Sequence, residues 1–305
     1  MFGGAHRKLA VAGLAACCAV SAAVVVATAR PHARQAAEMS AYTASAARAR
    51  LRPVSENKQV RRKKGVAAWA FRGSRAALRK SGVSWYYTWS VSHGGITTPR
   101  GLRFVPMIWG PGSVTDSALA QARHEGHILL GFNEPDMSSQ SNMSVDQALS
   151  LWPRLMSTGM RLGSPAVAFG GDTPGGWLDR FMQGAKAQHY RVSFITLHWY
   201  GGDFRTAAAV SQLRSYLQAV WKRYHKPIWL TEFALIRFGS KTVFPTPRQQ
   251  AAFVTRATAM LQRQRFVWRY AWFALPSDSG DGTAGLFRPG AVPTAAGRAF
   301  DRVGR

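Results

Sequence analysis

The chain has 305 residues, with 40 Lys and Arg against 14 Asp and Glu, and a formal net charge of +26. A hydrophobic share of 47% allows one full core and excludes a disordered or fibrous chain. Cys17 and Cys18 are the whole cysteine complement, so everything after them lacks disulfides, a thiol nucleophile and thiolate metal ligands. The charge favours anionic partners. No recognised nucleic-acid module accompanies it, so no specific nucleic-acid partner is expected.

Residues 1–29 read as an export signal or signal anchor. Arg7 and Lys8 precede an uncharged apolar run from Leu9 to Ala29, which ends in the small-x-small site Ala27-Thr28-Ala29. The run is long enough to cross a bilayer, so the expected location is extracytoplasmic, secreted or anchored. Leu14-Ala15-Ala16-Cys17 matches a lipid-attachment pattern, but the apolar run continues past Cys17, which argues against a lipoprotein start. Residues 30–64 are rich in Ala and Arg and too poor in large apolar residues to form a core. They read as a solvated basic linker, with weak attraction to an anionic envelope or membrane surface as the functional alternative. Residues 1–64 carry twelve Lys and Arg and two acids, so ten of the 26 positive charges sit there and sixteen remain in the rest.

From residue 65 onward, apolar runs alternate with amphipathic stretches. Strands are expected at 66–71, 84–89, 103–109, 127–134, 162–168, 194–200, 227–233 and 269–275. Their near-continuous apolar character suits a parallel sheet covered on both faces. Helix starts are legible at Ser144, at Thr246-Pro247 and at Thr294; Asp203 precedes a periodic stretch, Ala207 to Lys226. The crossover 90–102 is too short and Gly-rich for a full helix. Eight strands with intervening helices fit a single α/β domain, a TIM (β/α)8 barrel over residues 65–305. An open doubly wound sheet is the alternative, but Phe71-Arg72-Gly73-Ser74 is not the phosphate turn such a sheet normally carries after its first strand.

Barrel active sites form where strands end. Strand four ends in Gly131-Phe132-Asn133-Glu134-Pro135-Asp136 and strand seven in Trp229-Leu230-Thr231-Glu232-Phe233. A carboxylate closing an apolar strand is costly to bury without a purpose or a partner. Two that converge across a barrel mouth supply the acid and the nucleophile or base that glycosidic cleavage requires. The bland alternative is a pair of buried salt-bridge acids. No His, Asp or Glu cluster has convincing metal spacing, so neither a metal nor a cofactor is expected.

GFNEPD, LGSPA, LHWY and WLTEFA, in that order, resemble the glycosyl hydrolase catalytic-core family, which includes the endo-β-1,3-glucanases of glycoside hydrolase family 128. The closing GLFRPGAVPTAAGRAF adds to the likeness, which covers about residues 65–305. The resemblance implies a retaining endo-β-1,3-glucanase, with Glu134 as acid/base, Glu232 as nucleophile and Asn133 on the sugar 2-hydroxyl. His198 and Tyr200 are candidates to orient Glu232 or a sugar hydroxyl. Trp109, Trp272 and Tyr86 are candidate platforms for pyranose faces. The expected partner is a β-glucan, met by a monomer. A related glycosidase acting on another β-linked polysaccharide, or a silent carbohydrate-binding barrel, would share most of these residues.

Overall fold

The computed structural model describes residues 62–277 and 283–304. The signal, lipid-attachment and linker readings of residues 1–61 lie outside the described residues. Eight parallel strands follow in chain order: β1 (Lys64–Ala67), β2 (Trp85–Tyr87), β3 (Arg103–Phe104), β4 (Ile128–Leu129), β5 (Arg161–Leu162), β6 (Ile195–Gly201), β7 (Ile228–Leu235) and β8 (Val267–Trp272). One ladder runs β3-β2-β1-β8-β7-β6 and a second joins β4 to β5. Single parallel bridges, Met107 to Leu130 and Gly163 to Phe194, link the two ladders on either side. Each strand thus has a parallel neighbour on both sides, in the ring order of a (β/α)8 barrel. A short antiparallel pair, β9 (Phe287–Arg288) and β10 (Val292–Pro293), follows β8.

The outer layer contains α1 (Ser74–Ser81), α2 (Asp116–Glu125), α3 (Val145–Met156), α4 (Trp177–Ala187), α5 (Thr206–Tyr224), α6 (Pro247–Arg263) and α7 (Ala295–Asp301). The expected caps form. The Ser144 and Thr294 hydroxyls accept from the Gln147 and Gly297 amides. Thr246 and Gln249 make a reciprocal capping box. Asp203 does not cap α5; its carboxylate is taken by the Arg205 amide and guanidinium. The crossover from β2 to β3 has no α-helix among the described residues.

The boundary of the domain moves. Lys63 and Lys64, read from sequence as the end of a solvated linker, are buried. The Lys63 ammonium donates to the Gln262 and Gln264 carbonyls at the end of α6. Lys64, the first residue of β1, donates to the Phe300 and Val303 carbonyls at the end of α7 and lies 4.4 Å from the Phe300 ring centroid. Helix C-termini expose carbonyls that have no intrahelical partner, and these two adjacent lysines supply donors at the ends of two helices. A composition rule sees only the charge run and misses this.

Strand alternation divides the apolar residues into two cores. Trp85, Tyr87, Met107, Leu130, Phe194 and Trp229 fill the barrel interior. Tyr86, Phe104, Tyr270 and Trp272 point outward to pack beneath the helices. Gly65 makes the interior filling possible, since a Cβ there would sit 2.2 Å from the Trp85 indole.

Candidate active site

The site forms at the ends of β2, β4, β6 and β7. Glu134 closes the segment after β4, with its amide on the Ala166 carbonyl and a φ of 42°. Trp89, two residues beyond β2, has a φ of 57°. Left-handed backbone costs a non-glycine residue on the order of 1 kcal/mol or more. Here it falls on two residues whose side chains converge on one spot.

Glu232 reaches the site through a break in register. Leu197 pairs with Leu230, but His198 pairs with Glu232, so Thr231 is the extra residue of a bulge in β7. Trp229 belongs to the interior and Phe233, four residues on, to the outer core. Unbroken alternation would put both on one face and aim Glu232 outward. The bulge inverts the phase and turns the carboxylate inward.

One oxygen of Glu134, one of Glu232 and a ring nitrogen of His198 lie within 4.8 Å of one another. All three side chains are buried, though Glu134 keeps a small exposed edge. His198 Nδ1 is 2.8 Å from Glu134 Oε1. His198 Nε2 lies 3.4 Å from Glu232 Oε1 without the alignment of a hydrogen bond. Glu232 is wrapped by donors. Tyr87 donates to Oε1 at 3.0 Å, Trp89 Nε1 donates to the same oxygen at 2.7 Å, and Tyr200 donates to Oε2.

The electrostatics follow from that packing. Burial pushes the Glu232 carboxyl above its ordinary range and the Glu134 charge adds to this. The His198 charge and the Tyr200 and Trp89 hydrogen bonds pull it part of the way back and leave it raised. Burial alone would lower His198, but the Glu232 and Glu134 carboxylates outweigh it and hold the imidazole above its ordinary value. Burial, then the Glu232 charge, pushes both Tyr87 and Tyr200 well above the usual phenol range, so both remain neutral donors. Indole N–H only donates. Glu232 Oε1 is therefore an acceptor, and these donors favour the charged carboxylate against the effect of burial. Among the described residues Glu134 meets the His198 side chain, whose ring nitrogen can donate or accept. The trio would also fit a cation by distance, but the donors on both Glu232 oxygens compete with one.

Asn133 is buried beside Glu134, with its amide nitrogen 3.2 Å from Gln140 Oε1 and its Oδ1 unpartnered. Trp109 is half-buried against the interior cluster. Two expected platforms are corrected. Trp272 is fully buried in the outer core, its Nε1 donating to the Ala284 carbonyl. Tyr86 is also fully buried, and its hydroxyl meets His93 Nδ1 and Thr98. Each lies one residue out of phase with the side chain that does face the site. Tyr87 and Phe273 occupy the inward positions, and Trp89 continues the inward series of Trp85 and Tyr87. Phe273 packs against Trp89 and Tyr200, and Trp69, 39% exposed, joins Trp89 and Phe273 at 6.1 and 6.3 Å. The sequence names none of Tyr87, Trp89, Trp69 and Phe273 as site residues, although strict alternation along 84–89 would have found the first two.

Residues 66–300 match the family model described as glycosyl hydrolase catalytic core. The chain belongs to that family. Among solved members, this glycosyl hydrolase core is similar to a family 128, subgroup I, endo-β-1,3-glucanase from Amycolatopsis mediterranei in complex with laminaritriose. The identity is 58% and the TM-score 0.76, over 79% of this chain and 99% of that one. A glutamate-to-glutamine variant of that enzyme has been solved with laminarihexaose. A subgroup II endo-β-1,3-glucanase from Sorangium cellulosum is 29% identical, with a TM-score of 0.66, over 79% of this chain and 98% of that one. Alkali-sensitive linkage protein 1 of Schizosaccharomyces pombe is 31% identical over 209 residues, which is 66% of this chain; the match spans about a third of that protein, 36%.

Proposed function

We propose that the protein is a retaining endo-β-1,3-glucanase in which Glu134 is the acid/base and Glu232 the nucleophile. The observation that carries this is the carboxylate pair, with oxygens within 4.8 Å and unequal surroundings. Retaining glycosidases hold their two carboxyl groups about 5 Å apart, closer than inverting enzymes, which must fit a water between. The linkage is supported by the similar family 128 enzymes and their laminari-oligosaccharide complexes.

In the first step the Glu232 carboxylate attacks the anomeric carbon while the Glu134 acid gives its proton to the departing glycosidic oxygen. The products are a glycosyl ester on Glu232 and a shortened glucan. In the second step the Glu134 carboxylate takes a proton from water, whose oxygen attacks the same carbon and releases the Glu232 carboxylate. Tyr87, Trp89 and Tyr200 hold Glu232 for attack and stabilise the charge it regains on leaving. His198 orients Glu134 from the floor of the site. The unpartnered Asn133 Oδ1 is free to accept from the sugar 2-hydroxyl, and Trp69, Trp89 and Phe273 form an aromatic wall for pyranose faces. The apolar run Leu9–Ala29 would place this reaction outside the cytoplasm.

The test is reducing-end release from laminarin and from other β-linked glucans, with the protein beside Glu232→Gln and Glu134→Ala. Turnover on laminarin, loss of it in Glu232→Gln with oligosaccharide binding kept, and azide rescue of Glu134→Ala to a β-glucosyl azide would support the assignment. Binding without turnover on any glycan would mark a silent carbohydrate-binding barrel. Turnover confined to another linkage would move the substrate and leave the chemistry in place.

A further inference from the structure

Positive charge is concentrated at the end of the barrel opposite Glu134 and Glu232, where strands begin and helices finish. Arg103 opens β3 and Arg161 opens β5, while Arg191, Lys226 and Arg265 precede β6, β7 and β8. Arg269 lies deeper at the same mouth, its guanidinium 4.6 Å from the Trp229 ring centroid. Among the described residues, the connections 82–84, 126–127, 157–160, 188–194, 225–227 and 264–266 contain no Asp or Glu. The two acids that close helices there are engaged: Glu125 of α2 is 3.0 Å from His93, and Asp301 of α7 also has a partner. Arg103, Arg161, Arg265 and Arg269 meet no carboxylate among the described residues. Burial, then the charge of Arg103, lowers Arg269 to about 10.

Helix dipoles account for the cations in the last helical turns. They do not account for those on strand starts, which lie on the barrel mouth itself. Two further observations say what covers this end. Trp268, 43% exposed, lies beneath the Arg161 guanidinium at 5.2 Å, and an exposed indole among cations suits the headgroup layer of a bilayer better than a soluble polymer. The chain also enters the barrel here, at Arg62 to Lys64, so the uncharged run Leu9–Ala29 and the basic stretch 48–61 are tethered to this face.

We propose that this end of the barrel docks on anionic lipid headgroups and holds the catalytic cleft away from the membrane, toward polysaccharide. Cations beside an anionic bilayer add attraction that decays within a Debye length, so contact and not mere proximity is required. The docking surface is the folded domain, in addition to any attraction of the residues before it.

The experiment is hydrogen exchange on the full chain, with vesicles of phosphatidylglycerol mixed with phosphatidylcholine and with vesicles of phosphatidylcholine alone. Segments 157–161, 188–193 and 264–269 should gain protection on the anionic vesicles only, and lose it at high salt. The triple variant Arg103→Gln, Arg161→Gln, Arg265→Gln should partition roughly 10- to 100-fold less onto anionic vesicles. A control triple at the cleft end, Arg72→Gln, Lys241→Gln, Arg248→Gln, should partition like the parent. Thermal melts of both triples confirm folding. Equal protection on neutral vesicles, or an equal loss in the control triple, would overturn the proposal. So would tighter protection of the same segments by soluble polyphosphate, which would make the face a polyanion site.

Discussion

Replacing Trp89 with Phe keeps a ring in the aromatic wall and removes one hydrogen bond, from indole nitrogen to Glu232 Oε1 at 2.7 Å. A hydrogen bond to a buried charge is worth about 1.5–3 kcal/mol. Tyr87 and Tyr200 remain on the carboxylate, and loss of the third donor should raise the Glu232 pKa further. The sign follows from the donor favouring the charged form. Activity requires the carboxylate, so the acid limb of kcat/KM should move to higher pH. The two chemical steps should respond differently. In the proposed mechanism Glu232 loses charge as it attacks and regains it as it leaves, so the missing donor handicaps departure. If half the charge is regained at the transition state, deglycosylation slows by about 1 kcal/mol, roughly fivefold. Rapid quench on an oligosaccharide substrate should then show a product burst that the parent lacks or shows weakly. An acid limb that stays in place, with no burst, would refute the claim that Trp89 holds the nucleophile as an anion.

Lys64→Met should remove about 2–3 kcal/mol by taking the ammonium donor from the Phe300 and Val303 carbonyls, lowering the Tm by roughly 4–10 °C in calorimetry. His198 is held above its ordinary value when folded, so the stability it contributes is full below the unfolded value and lost as pH rises through the folded one. His198→Asn should therefore flatten the decline of Tm as pH is raised from about 6.5 upward. Gly297→Ala should destabilise α7 by about 1–3 kcal/mol in urea melts despite the helix preference of Ala, because the new Cβ would meet the Leu286 carbonyl at 2.1 Å. Asn133→Ala should lower kcat/KM on laminari-oligosaccharides by roughly 10- to 100-fold, with a much smaller loss on a substrate deoxygenated at C2.

All eight strands and the caps at Ser144, Thr246 and Thr294 were legible, because apolar runs and capping side chains are local signals. Glu134 and Glu232 were legible because ionisable groups at apolar strand ends stand out. The facing of single residues was harder. Ring type alone singles out Tyr86 and Trp272, but parity decides facing, and both fall on the helix side. Glu232 shows the opposite limit. Parity along β7 would have pointed it outward, and only the bulge at Thr231, set by pairing with β6, reverses that. Lys63 and Lys64 look like linker in sequence because their partners are carbonyls about two hundred residues away, which no local window contains.

The two halves of the ring are joined very unequally. β6, β7 and β8 share long ladders, whereas β3, β4 and β5 are two residues each, and among the described residues isolated bridges join the β3 side to the β4 side and the β5 side to β6. Few backbone bonds and short strands mean low local opening free energy. Glu232, the proposed nucleophile, therefore stands on the stiff side of the barrel and Glu134, the proposed proton donor, on the compliant side. An oxygen that must follow first a departing sugar and then an incoming water gains from that compliance, while the carbon–oxygen bond to the enzyme forms against a support that does not yield.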